Sequence, residues 1–186
     1  KWQEDRLSKR FEIARQIYNT LVRAELKKLR QVEKSAEYRQ IQTQLREMYQ
    51  QDATKTKEFR EIARHRTKLL NDAGYTEYGF KSAIKDYYKH FQDNIGSSVA
   101  VHGIAPLVWS AFEKKLYKNG KKVHYKSPGD IHSLRGYSVA GKSGGAEIMF
   151  RGSYVEWKGL NLPIKNSSDN DYEMAMLAYR VKYVRI

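Results

Sequence analysis

Cysteine is absent from the 186 residues. That excludes disulfides, iron–sulfur clusters and thiolate chemistry, and it leaves a zinc site only histidine and carboxylates to draw on. Long apolar runs are also missing: none approaches the roughly 18 residues that a membrane helix needs, and no secretory signal is visible. Proline is scarce, with only Pro106, Pro128 and Pro163, all beyond residue 100. Of the 12 glycines, only Gly74, Gly79 and Gly96 precede that point. The backbone breakers therefore divide the chain into a helical first part and a turn-rich second part. Negative charge is in short supply as well: 21 Asp and Glu stand against 35 Lys and Arg, for a net charge of +14 and a pI near 9.8. With 40% hydrophobic residues in 21.8 kDa, the chain can bury a core and is no disordered basic tail. It opens on Lys1 rather than Met, which suggests a fragment or a trimmed start. The expectation is a strongly basic, cytoplasmic globular protein with no membrane contact, whose partners are polyanions.

In the first part, Leu7, Phe11, Ala14, Tyr18, Leu21, Leu29 and Val32 recur at helical spacing with charged residues between them, which predicts a long helix over about residues 4–34. Ser35 is placed to cap a second helix that buries Tyr38, Ile41, Leu45 and Met48. Thr54 or Thr56 opens a third with Phe59, Ile62 and Leu69 inside, closed by Gly74 with Tyr75 as the following apolar contact. Thr76 starts a fourth through Phe80, Ala83, Ile84, Tyr87 and Phe91. Ser97 or Ser98 starts a fifth, running to about Lys118, which Pro106 should bend or delay.

After Asn119-Gly120, a strong turn signal, the period changes to two. Strands are expected at Lys122–Lys126, Ile131–Leu134, Glu147–Phe150, Tyr154–Trp157, Leu160–Ile164 and Arg180–Ile186. Six short strands at close spacing suggest a small β-barrel or a strongly curved sheet. The fold class expected is therefore α+β, a helical bundle over residues 1–118 followed by a small β-barrel over 119–186. The second part holds 11 Lys and Arg against 6 Asp and Glu, and the first 24 against 15, so both parts are basic. One ligand touching both parts explains that balance better than a single basic tail.

Four constellations bear on chemistry. Gly136–Ser143 fits the phosphate-cradling pattern G-x-x-x-x-G-K-S, with Lys142 as its lysine. A true phosphate loop needs a buried strand before it and a helix after it; here "SPGDIHSLR" precedes and "GGAEIMFRG" follows, so a Gly-rich hairpin is the better reading. Asp169, Asp171 and Glu173 alternate in an acidic loop that lacks the central glycine and distal glutamate of a calcium hand. The five histidines, His65, His90, His102, His124 and His132, include no pair at i, i+4 on an expected helix, and no nucleophile elbow is present. Interleaved basic and aromatic residues are the stronger signal: Lys81, Lys85 and Lys89 step by four along one helix face, and Lys114, Lys115, Lys118, Lys121, Lys122 and Lys126 cluster around one turn among 14 tyrosines. Lysines bind phosphates, and aromatic rings stack bases.

The order "WSAFEKKLYKNGKKVHYKSPGDIHSLRG", "IMFRGSYVEWKGLNLPIK" and "YRVKYVRI" resembles the front portion of transposon-encoded TnpB (OrfB-type) proteins. The upstream "LSKRFEIARQIYNTLV" resembles that family's first recognition helix, with Arg15, Tyr18 and Asn19 at the matching positions. TnpB proteins are RNA-guided DNA endonucleases related to the type V CRISPR effectors. The resemblance implies a helical recognition lobe to about residue 118, then most of a wedge β-barrel, with guide RNA and target DNA as partners and a nucleoid-associated place in the cytoplasm. It implies that cleavage belongs to a RuvC-like domain following residue 186, whose carboxylates hold Mg²⁺; this stretch would carry no catalytic site and no cofactor. It further implies that Thr76, Tyr78, Lys81, Ser82, Ser98 and His102 face the short motif beside the DNA target. Where the family often has Lys or Gln near the start of the fifth helix, this chain has Ser98 and His102, so a different motif is expected. Lys85, Lys114, Lys118, Lys121, Lys122, Lys126 and Lys142 would grip nucleic-acid backbones, and Trp157 would sit in the core. The rival readings are a P-loop nucleotide-binding protein using Gly136–Ser143, which loss of ATP binding in Lys142→Ala would favour, and a stand-alone DNA-binding domain or nuclease-dead guided repressor.

Overall fold

Thirty-three residues at helical period form α1 (Trp2–Lys34), and its inner stripe of Ile13, Ala14, Ile17, Tyr18, Leu21, Val22 and Leu29 is buried. The computed structural model describes residues 1–118, 120–138, 147–164, 175, 181 and 183–186. Ser35 Oγ accepts the Tyr38 N–H at 3.2 Å and opens α2 (Ala36–Gln50), which buries Ile41 and Leu45. Thr56 Oγ1 does the same for the Phe59 N–H at 3.1 Å, opening α3 (Lys57–Asp72). Gly74, at φ +86°, lets the chain double back so that its own N–H and that of Tyr75 reach the Asn71 and Leu70 carbonyls at 2.8 and 2.9 Å. Tyr75 is then fully buried. Thr76 caps α4 (Glu77–Ala83) through the Gly79 N–H at 3.0 Å. The expected fourth helix does not run unbroken to Phe91: it is divided into α4, α5 (Lys85–Tyr88) and a tighter 3₁₀ turn, Lys89–Phe91.

Next come α6 (Ser97–Val99), a wide π turn (Ala100–Ile104) and α7 (Ala105–Tyr117), without a gap. A proline ring inside a regular helix collides with the carbonyl four residues back, here that of His102. The widened turn just before Pro106 opens that space, so the expected bend or late start takes the form of a π turn.

The described strands fall into two antiparallel sheets. One pairs β1 (Arg135–Tyr137) with β5 (Tyr183–Arg185); the other runs β2 (Ile148–Phe150), β3 (Tyr154–Trp157), β4 (Leu160–Pro163). Lys158 and Gly159, at φ +44° and +77°, make the two-residue turn joining β3 to β4. The class is α+β, but no closed barrel is formed by the described residues. Lys122–Lys126 and Ile131–Leu134, expected as strands, are not strands here. In the first, the Lys126 N–H and carbonyl and the His124 carbonyl are met by α1 side chains instead of a strand neighbour. In the second, only Leu134 joins the ladder, exchanging two 2.9 Å backbone hydrogen bonds with Ile186.

One buried cluster runs from Ile13 on α1 through Phe80 and Phe112 to Trp157 on β3, so both parts share an interior. Phe80 and Phe112 lie 5.0 Å apart, Tyr75 stacks on Phe112 at 6.0 Å, and Phe80 meets Trp109 at 5.5 Å. Arg10 is buried inside this cluster. Its guanidinium covers the Trp157 ring at 4.6 Å and donates to the carbonyls of Trp157 and Lys158 at 2.5 and 2.7 Å. Burial, with Arg6 adding a smaller effect, lowers its pKa to about 10, which leaves it charged at neutral pH. This contact stitches α1 to the β3–β4 turn.

Candidate nucleic-acid interface

The surface begins with α1. Asn19 presents its side-chain amide to Lys126 as a strand would: Nδ2 donates to the Lys126 carbonyl at 2.9 Å, and Oδ1 accepts the Lys126 N–H at 2.8 Å. Arg15 Nη1 adds a second donor to the same carbonyl at 3.1 Å, and the Tyr18 hydroxyl donates to His124 O at 3.4 Å. Glu12 steadies Arg15 through Nε at 2.8 Å, and that hydrogen bond holds the Glu12 carboxyl down to about 2. Arg15, Tyr18 and Asn19 thus hold the chain's own backbone, fixing residues 124–126 along α1.

The pinned segment leads into two grooves. The first, of about 280 Å³, lies beside the π turn and the head of α7. His102, Lys126, His132, Arg135 and Arg185 line it, with Asp130 as the one carboxylate among its lining residues. Asp130 Oδ2 accepts the Ser127 N–H at 2.8 Å and so shapes the turn below. Arg135 and Arg185 are register partners across β1 and β5. Side chains of register partners share a face, and like charges there repel.

Of the residues expected beside a DNA motif, His102 lines this groove. His102 meets the Tyr137 ring edge-on at 4.4 Å. Burial lowers its pKa below the ordinary value of 6.5, and the positive charges of Lys81 and Arg135 push in the same direction. His102 is therefore a neutral imidazole at pH 7, with one ring donor and one ring acceptor. Ser98 Oγ accepts the Tyr137 N–H at 2.9 Å. Glu147 holds the start of α6 by accepting from Ser97 N–H at 2.7 Å, Ser97 Oγ at 2.9 Å and Ser98 N–H at 2.7 Å. Gly96, at φ +80°, is required there because a Cβ would strike that carboxylate. Lys81 pairs with Glu77 one turn away. Tyr78 projects into solvent, Ser82 is exposed, and the Thr76 hydroxyl is engaged in capping α4. Ser98, His102 and Lys81 are thus brought to one region, while Thr76 and Ser98 act through the backbone.

The second groove, of about 400 Å³, lies between α1 and residues 121–125. Lys121 and Lys122 form its rim with Arg30 and Lys115, and Lys115 sits 3.6 Å from Glu33. Of the remaining expected backbone contacts, Lys85 and Lys114 are exposed and line neither groove, and Lys118 pairs with Glu113 at 2.8 Å. Lys142, most of Gly136–Ser143, and Asp169, Asp171 and Glu173 lie outside the described residues. Among the described residues no group of three His, Asp or Glu side chains is arranged to hold a metal ion, and no helix is long and apolar enough to cross a membrane.

Sequence reasoning missed Arg135, Arg185, Tyr137 and His132. The signal was present but two-dimensional: Arg135 and Arg185 are 50 residues apart, and only the β1–β5 register makes them neighbours. No family model matches the chain, and no curated protein or solved structure does.

Proposed function

We propose that the chain is the nucleic-acid-binding portion of a TnpB-like RNA-guided DNA endonuclease, its helices serving as recognition lobe and its sheets as wedge. It holds guide RNA and target DNA, and the bond-breaking carboxylates with their Mg²⁺ belong elsewhere in the parent protein. The observation that carries the reading is the pairing of Arg135 opposite Arg185 in a groove that also takes Lys126. Two guanidinium groups on one sheet face, with Lys126 in the same groove, supply the charge-assisted donors that a phosphate accepts. Beside that grip, neutral His102 and the half-exposed Tyr137 offer groups suited to a base edge and a base face. Phosphate contacts position the strand, and these few side chains supply motif preference while base pairing reads the target.

The test is to purify the full-length protein under native conditions and sequence the nucleic acid that comes with it. A defined RNA ending in a variable guide is expected. Random cellular RNA would reduce the reading to generic basic adhesion.

A further inference from the structure

The second groove differs from the first in its floor. Leu26 and Leu29 of α1 and Val123 of the pinned segment give it an apolar base, and Tyr125, 49% exposed, supplies an aromatic face at its edge. Its rim is cationic: Lys121, Lys122 and Arg30 stand around it, while Lys115 is already balanced by Glu33. An apolar slot with an aromatic wall and a positive mouth fits a flat ring that carries phosphate. Paired bases cannot enter such a slot, because their rings are stacked inside a helix. An unpaired one can. The volume lies within the range of pockets that enclose small organic groups. The walls are also pre-formed, since Asn19, Arg15 and Tyr18 fix residues 124–126 before any ligand arrives.

We propose that this groove takes one unpaired nucleotide of a bound polynucleotide strand, its base lying against Tyr125 over Leu26, Leu29 and Val123, its phosphates on Lys121, Lys122 and Arg30. The inference rests on the nucleic-acid reading given above and adds a site that reads strand structure rather than sequence. A lone phosphate would not need the apolar floor, and an apolar peptide would not need the cationic mouth.

The test compares two RNA hairpins of equal length, one fully paired and one with a single bulged 2-aminopurine, bound to the protein at low salt. The bulged hairpin is expected to bind about tenfold more tightly, with its 2-aminopurine fluorescence quenched on binding. Tyr125→Ala should abolish both the preference and the quenching and leave the paired hairpin within about twofold of its original affinity. The exposed position of Tyr125 keeps that variant folded, which its thermal midpoint verifies. The double variant Lys121→Ala, Lys122→Ala should weaken the bulged hairpin more than the paired one. Equal affinities for the two hairpins, or a preference that survives Tyr125→Ala, would overturn the pocket and leave nucleic-acid binding standing. Failure to bind either hairpin would overturn both. Adenosine monophosphate competing as well as the bulged hairpin itself would overturn the strand as the source of the nucleotide.

Discussion

At the scale of single residues, the buried charges are the most consequential. Arg10 is 4% exposed, and its guanidinium is the hydrogen-bond partner of two turn carbonyls and the cover of Trp157. Arg10→Ala leaves both carbonyls without that donor and opens space over the indole, and it should lower stability by roughly 2–4 kcal/mol in denaturant melts. Asn19→Ala removes a donor and an acceptor from the Lys126 backbone and should cost about 1–3 kcal/mol. His102 gives a pH signature. Its folded pKa lies below 6.5, so the fold favours the neutral ring; that contribution is complete above the unfolded pKa and drains away as pH falls from 6.5 toward the folded value. Urea midpoints measured at about pH 7.5 and about pH 5.5 should fall more on acidification in the parent protein than in His102→Gln. An equal fall in both would remove His102 as the cause.

At the scale of elements, the helices were legible and the way they meet the sheets was not. Ser35, Thr56 and Thr76 cap α2, α3 and α4 as their residue types and positions predict, because a cap is a local hydrogen bond three residues long. Strands β3 and β4 were legible too, expected at Tyr154–Trp157 and Leu160–Ile164 with Gly159 as the break between them. The π turn was hidden, since its cause combines Pro106 with a close approach of a distant strand. Gly103 shows the second half of that cause: a Cβ there would lie 2.5 Å from the Arg135 carbonyl on β1. Gly103→Ala therefore has to push β1 off the helix, with an expected loss of about 1–3 kcal/mol and a weaker grip on duplex DNA from the displaced Arg135. A variant of unchanged stability and affinity would show that β1 does not need that contact. Lys122–Lys126 reads as a strand for a sound reason, its alternation, but the partner that satisfies its backbone is the side chain of Asn19, and no local pattern announces a strand whose neighbour is a helix.

At the scale of the whole molecule, part of the positive charge gathers in two grooves on the segment that joins helices to sheets. Lys121 and Lys122 line one, and Lys126 lines the other with Arg135 and Arg185. The cluster around Asn119-Gly120 pointed to this junction from sequence alone. The arginines could not be seen there, because pairing between residues 50 apart is a property of the fold. Lys118 shows the converse: it belongs to the same charge run, yet Glu113 balances it. A count of lysines therefore overstates the cations that a phosphate backbone would meet.

The central claim is that opposed arginines in a basic groove hold nucleic-acid phosphates, and salt dependence tests it most directly. Affinity for duplex DNA and for structured RNA is measured across rising salt for the parent protein and for Arg185→Glu, an exposed position whose reversal spares the core. The parent should bind more weakly in linear proportion on logarithmic axes, and the variant should bind more weakly at every salt with a slope shallower by about one phosphate contact. A flat salt response in the parent, or identical slopes and affinities in the two proteins, would contradict the claim.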